Sequence, residues 1–281
     1  MVIAFAIIKD CYHGAEMGKM MSMVLALLGL APVIAPIVGN GLAHAFSWRA
    51  IFLFLAIYAA LVLLACVKFL PETRLQPLRD QFHLGETFKH YWNITKNRNF
   101  IVYAISLCIA QAGFFAYIAG SASVFISQFN LSATQFSFIF AINALGLIAA
   151  AIINPKLHEK IGVLNTYKLI NTLFFADLGI LLLCIHFNML SLAVFCLTMF
   201  IAVTLLGFLM PTGSQLALMK QHQLAGTASA LLGSMQFGFG AFVSAITGSF
   251  ANYGALGLAS IMFACAFFSM LICYMLFPKK L

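Results

Sequence analysis

Residues 190–211 read Leu-Ser-Leu-Ala-Val-Phe-Cys-Leu-Thr-Met-Phe-Ile-Ala-Val-Thr-Leu-Leu-Gly-Phe-Leu-Met-Pro, without one charged side chain. At ~1.5 Å per residue a helix of that length crosses a hydrocarbon core of ~30 Å. Seven other stretches are about as long and almost as free of charge: Met20–Ala43, Ala50–Phe69, Phe100–Gln128, Ala133–Asn154, Tyr167–His186, Leu224–Phe250 and Ala255–Phe277. A short apolar stub, Met1–Ile8, precedes them. The spans are too long and too uniformly apolar for barrel strands, which run about ten residues with alternating polarity. They predict an all-α polytopic membrane protein.

The basic residues orient the spans. Lys9 and Lys19 follow the stub, and Arg49 lies alone in the next connection. Lys68, Arg74, Arg79, Lys89, Lys96 and Arg98 fall in the third, and none falls near Asn130. Lys156, Lys160, Lys168, Lys220, Lys279 and Lys280 then occupy alternate connections and the end. All of the 15 Lys and Arg except Arg49 therefore map to one face. By the positive-inside rule that face is cytoplasmic, which predicts a multi-pass protein of the inner membrane with both termini in the cytoplasm.

Composition excludes other classes. Of the 281 residues 63% are hydrophobic and only 8% charged, far from the quarter typical of soluble domains. The net charge of +8 is spread among short span-flanking groups, so nucleic acid is not an expected partner. Six of the seven cysteines lie inside apolar spans and none forms a CxxC pair, which makes them packing residues. The histidines are scattered among connections and span ends, so no metal site is expected, and no cofactor or nucleotide-binding loop is recognised. Transport by such a chain would draw on a gradient.

Pro71–Asn99 is the longest polar stretch. It divides the chain into residues 1–70, a central cytoplasmic loop 71–99, and a complete block of six spans at 100–281. In the first full span Gly29, Pro32, Pro36 and Gly39 follow closely, and the prolines predict a bend. In the span after Leu224, Gly226, Ala230, Gly233, Gly240, Ser244 and Gly248 share one helical arc, which suits close helix packing or a sliding surface.

Polar groups inside hydrocarbon mark candidate sites. Tyr103, Ser106, Gly113, Tyr117, Gly120 and Ser121 fall on one arc of about 100° in the third span. Two readings stand for it: the wall of a wet, partly apolar cavity, or interhelical hydrogen bonding. Gln111, Asn143 and Gln236 are isolated amides, read either as helix–helix bonds or as substrate contacts. Phe114, Phe115 and Phe237 lie near them as contacts for an apolar ligand. The substrate-binding candidates are therefore Tyr103, Phe114, Tyr117, Ser121, Asn143, Gln236 and Phe237. Asp177 is the one acidic residue well inside a span, either a proton carrier or a hydrogen-bonded structural carboxyl.

Several segments resemble the Bcr/CflA group of drug-resistance transporters within the major facilitator superfamily. Lys9-Asp10-Cys11-Tyr12-His13-Gly14 resembles the turn after the family's fourth helix. Ala31-Pro32, Ala35-Pro36 and Gly39-Asn40 resemble the antiporter motif of its fifth, with Asn40 in place of a glycine. Ser47-Trp48-Arg49 with Phe52 resembles the entry to the sixth, and Leu70-Pro71-Glu72-Thr73 its exit. Leu131-Ser132, Phe136, Phe140, Asn143-Ala144 and Gly146 resemble the eighth. Pro211, Ala225–Ala230 and Gln236 resemble the end of the tenth and the eleventh.

The resemblance implies two six-helix halves around a midplane cavity, present here as helices five to twelve with a stub of helix four, hence truncated at the N-terminus. It implies proton-coupled efflux of small apolar drugs by alternating access, with lipid, drug, protons and a missing N-terminal half as partners. Asp177 falls in helix nine, a peripheral support. Two alternatives remain: a non-transporting fragment or pseudogene product, and a membrane-embedded lipid-modifying enzyme, for which Glu72, His44 and Arg49 are the nearest catalytic candidates.

Overall fold

A computed structural model describes residues 34–70, 91–219, 221 and 225–277, with single residues 7, 11, 12, 16, 20 and 23. The chain divides into two compact units, residues 1–84 and 85–281.

In the first unit residues 34–45 are helical, and α1 runs Trp48–Phe69. Pro36 and Gly39 of the expected bent helix lie in the described stretch, and a Cβ added to Gly39 would meet nothing within 4 Å. Gly29 and Pro32 lie outside the described residues. No side chain of α1 is buried. A helix apolar on every side and buried on none has lipid or further protein as its solvent. The Arg49 guanidinium lies 4.5 Å from the centre of the Trp48 ring at its start, an arrangement suited to a membrane boundary.

Among the described residues of the second unit there are six long helices: α2 Arg98–Ala122, α3 Ala133–Ile161, α4 Val163–His186, α5 Leu192–Leu218, α6 Ala225–Ser249 and α7 Gly254–Leu276. With α1, seven described helices are long and apolar enough to cross a membrane. Their starts carry recognisable caps. Asn97 Oδ1 accepts from the amides of Asn99 and Phe100, and Ser132 with Gln135 closes a capping box on α3. Ser191 caps α5. Gln128 Oε1 accepts from Ala255 N at 2.7 Å, so the end of one span caps α7. α2 continues as a π-helical turn over Ser123–Gln128. α3 and α4 meet at a single residue, Gly162, whose φ of +82° favours glycine.

Two helices run well past the C-terminal ends expected of them. α3 passes through Pro155 to Ile161 and α5 through Pro211 to Leu218. Proline removes one backbone donor, yet in a membrane bundle neighbouring polar groups take up the freed carbonyls and the helix continues. Residues 91–96, inside the stretch read as a central loop, are helical, and Ile94 is buried.

α2 packs on α5, α6 and α7, α5 packs also on α3 and α4, and α4 and α7 pack on each other. Small residues set the closest approaches. A Cβ on Gly207 of α5 would strike the Leu147 carbonyl of α3, and one on Gly146 of α3 would strike Thr204 and Phe200 of α5. The unit is apolar outside and partly polar inside. Phe138, Ile152, Leu183 and Leu197 are exposed, whereas Asn143, Asn154, Asn171, Asp177 and Thr212 are buried. Water would penalise that distribution, and a bilayer favours it.

Candidate functional site

Four of the substrate-binding candidates join in one structure. The Asn143 amide of α3 donates to the Tyr117 hydroxyl of α2 at 2.7 Å, and both residues are buried. The Tyr117 ring is stacked with Phe140 at 5.6 Å and with Phe114 at 6.4 Å. Phe114 meets Phe115, which meets Phe237 of α6 edge-on at 5.7 Å. On the other side Phe140 contacts Phe136, Phe136 contacts Phe125, and Phe125 meets Phe195 of α5 at 5.1 Å. A chain of rings thus runs from exposed Phe237 to fully buried Phe195. Such rings have flat apolar faces and polarised edges, and the Tyr117–Asn143 bond is the polar contact among them.

Ser121 lies one turn from Tyr117 on the same face. It is buried, with its Oγ facing the Tyr117 hydroxyl. Tyr117 accepts through its oxygen from Asn143, so its own proton is not used in that bond. Gln236 is half-buried on α6 beside Phe237. The candidate set missed Phe125 and Phe195, and it also missed Phe140 and Phe136. Their signal was local, since both precede Asn143 at helical spacing.

Tyr103 stands apart, near the start of α2, with its ring edge-on to Phe277 at 4.4 Å. Ser106, Gly113 and Gly120 pack against neighbouring helices. Ser106 Oγ donates to the Ser269 carbonyl of α7, and Ser269 Oγ donates to the Ser106 carbonyl. With the Ser106 proton committed, the Tyr167 hydroxyl of α4 is the donor in its 3.1 Å contact to Ser106 Oγ, and Asn171 Nδ2 donates to Ser269 Oγ at 2.8 Å. A Cβ on Gly113 would rest against Cys265 and Phe174, and one on Gly120 would press on Thr247 and Leu258. For these three positions of the arc, helix packing is the arrangement found.

On α6 the small-residue stripe is closed only at its middle. Gly240 faces the Phe115 ring, and Ser244 Oγ donates to the Phe115 carbonyl, while Gly226, Gly233 and Gly248 have open space. Asp177 is buried on the α4 face shared with Phe174, Leu178 and Leu181, and its Oδ2 has no partner among the described residues.

A second polar cluster escaped the sequence reading. The Thr212 hydroxyl donates to the Phe208 carbonyl at 2.6 Å, which leaves its oxygen to accept from Asn154 Nδ2 and His158 Nε2, each at 3.0 Å. Asn154 precedes Pro155 and Thr212 follows Pro211, so the two internal prolines flank the bond that joins α3 to α5.

The chain resembles known proteins along its whole length. The Major Facilitator Superfamily profile matches residues 1–245. The uncharacterized MFS-type transporter YdgK of Bacillus subtilis is 29% identical over 272 residues, 95% of this chain and 66% of that protein. The bicyclomycin resistance protein homolog of Haemophilus influenzae is 24% identical over 280 residues, 100% of this chain and 70% of its own length. The multidrug transporter MdfA of Escherichia coli O157:H7 is 23% identical over 158 residues, 56% of this chain and 38% of that protein. The family is one of transporters, which displaces the lipid-modifying-enzyme alternative. With its apolar outer surface, seven described spanning helices and matched profile, this chain belongs to the Major Facilitator Superfamily of membrane transporters.

Proposed function

We propose that this chain serves in proton-coupled efflux of small apolar drugs from the cell, by alternating access, as a member of the Bcr/CflA group. It resides in the inner membrane with both termini cytoplasmic, and helices of an N-terminal half supply the opposite wall of the cavity. The observation that carries the reading is the ring chain from Phe237 to Phe140 built around the Tyr117–Asn143 bond. Aromatic faces accept ligands of varied shape, and a single buried hydroxyl–amide pair orients them without demanding one partner. The names borne by the Haemophilus influenzae and Escherichia coli relatives, bicyclomycin resistance and multidrug transport, point to the same substrate class.

In this reading Phe114, Tyr117, Ser121, Asn143, Gln236 and Phe237 contact substrate, while Gly29, Pro32, Pro36 and Gly39 bend a helix of the other half. Asp177 is the candidate proton carrier, the alternative role being structural support of α4.

The test is export of a fluorescent apolar drug from cells expressing the chain, alone and joined to the preceding helices of the Haemophilus influenzae relative. Export that collapses on adding a protonophore supports the reading. Absence of gradient-dependent export of every compound tried, with the joined protein present in the membrane, overturns it. Export by the joined protein alone would identify the isolated chain as a non-transporting fragment.

A further inference from the structure

A recess of about 390 Å³ opens where α2 begins and α7 ends, lined by Arg98, Asn99, Val102, Tyr103, Met275, Leu276 and Phe277. Its volume is in the range of small-ligand sites. Both helices reach the end of their apolar spans there, so the recess lies at a membrane boundary.

Its chemistry is divided. Arg98 and Asn99 are exposed at the start of α2 and offer a guanidinium and an amide. Tyr103 is only 3% exposed, and its hydroxyl has no hydrogen-bond partner among the described residues. A buried hydroxyl without a partner is costly, which marks a position that a ligand or solvent group completes. Val102, Met275 and Leu276 supply an apolar wall beside these groups. A comparable recess of about 370 Å³ at the other end of the unit is lined by Ser123, Ser127, Gln128 and residues 251–254, with no charged side chain. Of the two recesses, the one at Arg98 is the one lined by a positive charge.

We propose that this recess holds the phosphate headgroup of an anionic phospholipid from the adjoining leaflet. Arg98 supplies the countercharge and a two-pronged donor, which suits a phosphodiester. Asn99 and Tyr103 donate further hydrogen bonds, and the acyl chains lie against Met275 and Leu276. Inorganic phosphate shares the headgroup chemistry but leaves the apolar wall without an occupant, so a lipid fits the whole lining. The inference does not depend on which drug, if any, is exported.

Native mass spectrometry of the purified chain tests it, with dioleoyl phosphatidylglycerol, dioleoyl phosphatidylcholine and inorganic phosphate as probes. The wild-type chain should retain phosphatidylglycerol in preference to phosphatidylcholine. Arg98→Gln should weaken phosphatidylglycerol retention about fivefold. Tyr103→Phe, which preserves the ring against Phe277, should weaken it about threefold. Lys156→Gln, a charge removed at the far end of α3, should leave it unchanged. Equal retention by wild type, Arg98→Gln and Tyr103→Phe overturns the proposal. So does an equal loss in Lys156→Gln, which would mean general charge attraction, or full competition by inorganic phosphate, which would mean a free anion as occupant.

Discussion

The Asn143 side chain reaches from α3 to the Tyr117 hydroxyl on α2, 2.7 Å away, and both residues are sealed from solvent. The bond fixes the position of the Tyr117 ring between Phe114 and Phe140 and leaves the hydroxyl proton to donate elsewhere. Tyr117→Phe keeps the stacking and removes that donor. In the export assay it should raise the drug concentration for half-maximal transport about threefold to tenfold, with the amount of protein in the membrane unchanged. Asn143→Leu should cost only about 0.6 kcal/mol of stability, the usual worth of an interhelical bond in a bilayer. An unchanged transport profile in both variants would remove this pair from the site.

Asp177 lies on the α4 face with Phe174, Leu178 and Leu181. Asp177→Asn preserves shape and hydrogen-bonding capacity. Export should survive it largely intact if the residue supports α4. Loss of gradient-dependent export with normal folding would assign it the proton.

Ser106 and Ser269 each donate to the other's carbonyl, so removing either hydroxyl breaks the same clamp between α2 and α7. A double-mutant cycle of Ser106→Ala and Ser269→Ala, read by unfolding in denaturing detergent, should show a coupling of about 0.5–1.5 kcal/mol. Additive losses would mean that the two bonds act independently.

The glycines divide by what a side chain would meet. Gly207→Val should destabilise the chain by roughly 1–3 kcal/mol, because its Cβ would collide with the Leu147 carbonyl. Gly238→Ala, with nothing within 4 Å, should stay within about 0.5 kcal/mol of the parent. Thermal unfolding in detergent separates the two. Equal effects would contradict the close approach of α3 and α5.

Much of the fold was readable because lipid imposes one simple demand, long uncharged helices with charge confined to their ends. The described spans follow that demand apart from Asp177 within α4, and they include α1, which buries nothing of its own. The helix ends were less readable. The expected spans stop at Asn154 and Pro211, whereas α3 and α5 continue, and the bonds of Asn154 and His158 to Thr212 tie the two helices together there. The site was readable in its residue types but not in its grouping. One arc of α2 carries both Tyr117, which meets Asn143, and Ser106, which meets Ser269. Which neighbour covers which turn depends on helix pairing, and residues distant in sequence decide that.

The central claim is that a bilayer surrounds these helices and that the basic connections mark one of its faces. Placing a protease-sensitive tag in the connection at Asn130 and another after the final residue, then probing intact cells, tests it most directly. The two tags should lie on opposite sides of the membrane, with the Asn130 tag cleaved from outside and the terminal tag protected. Finding both on the same side would contradict the orientation and the transport reading built on it.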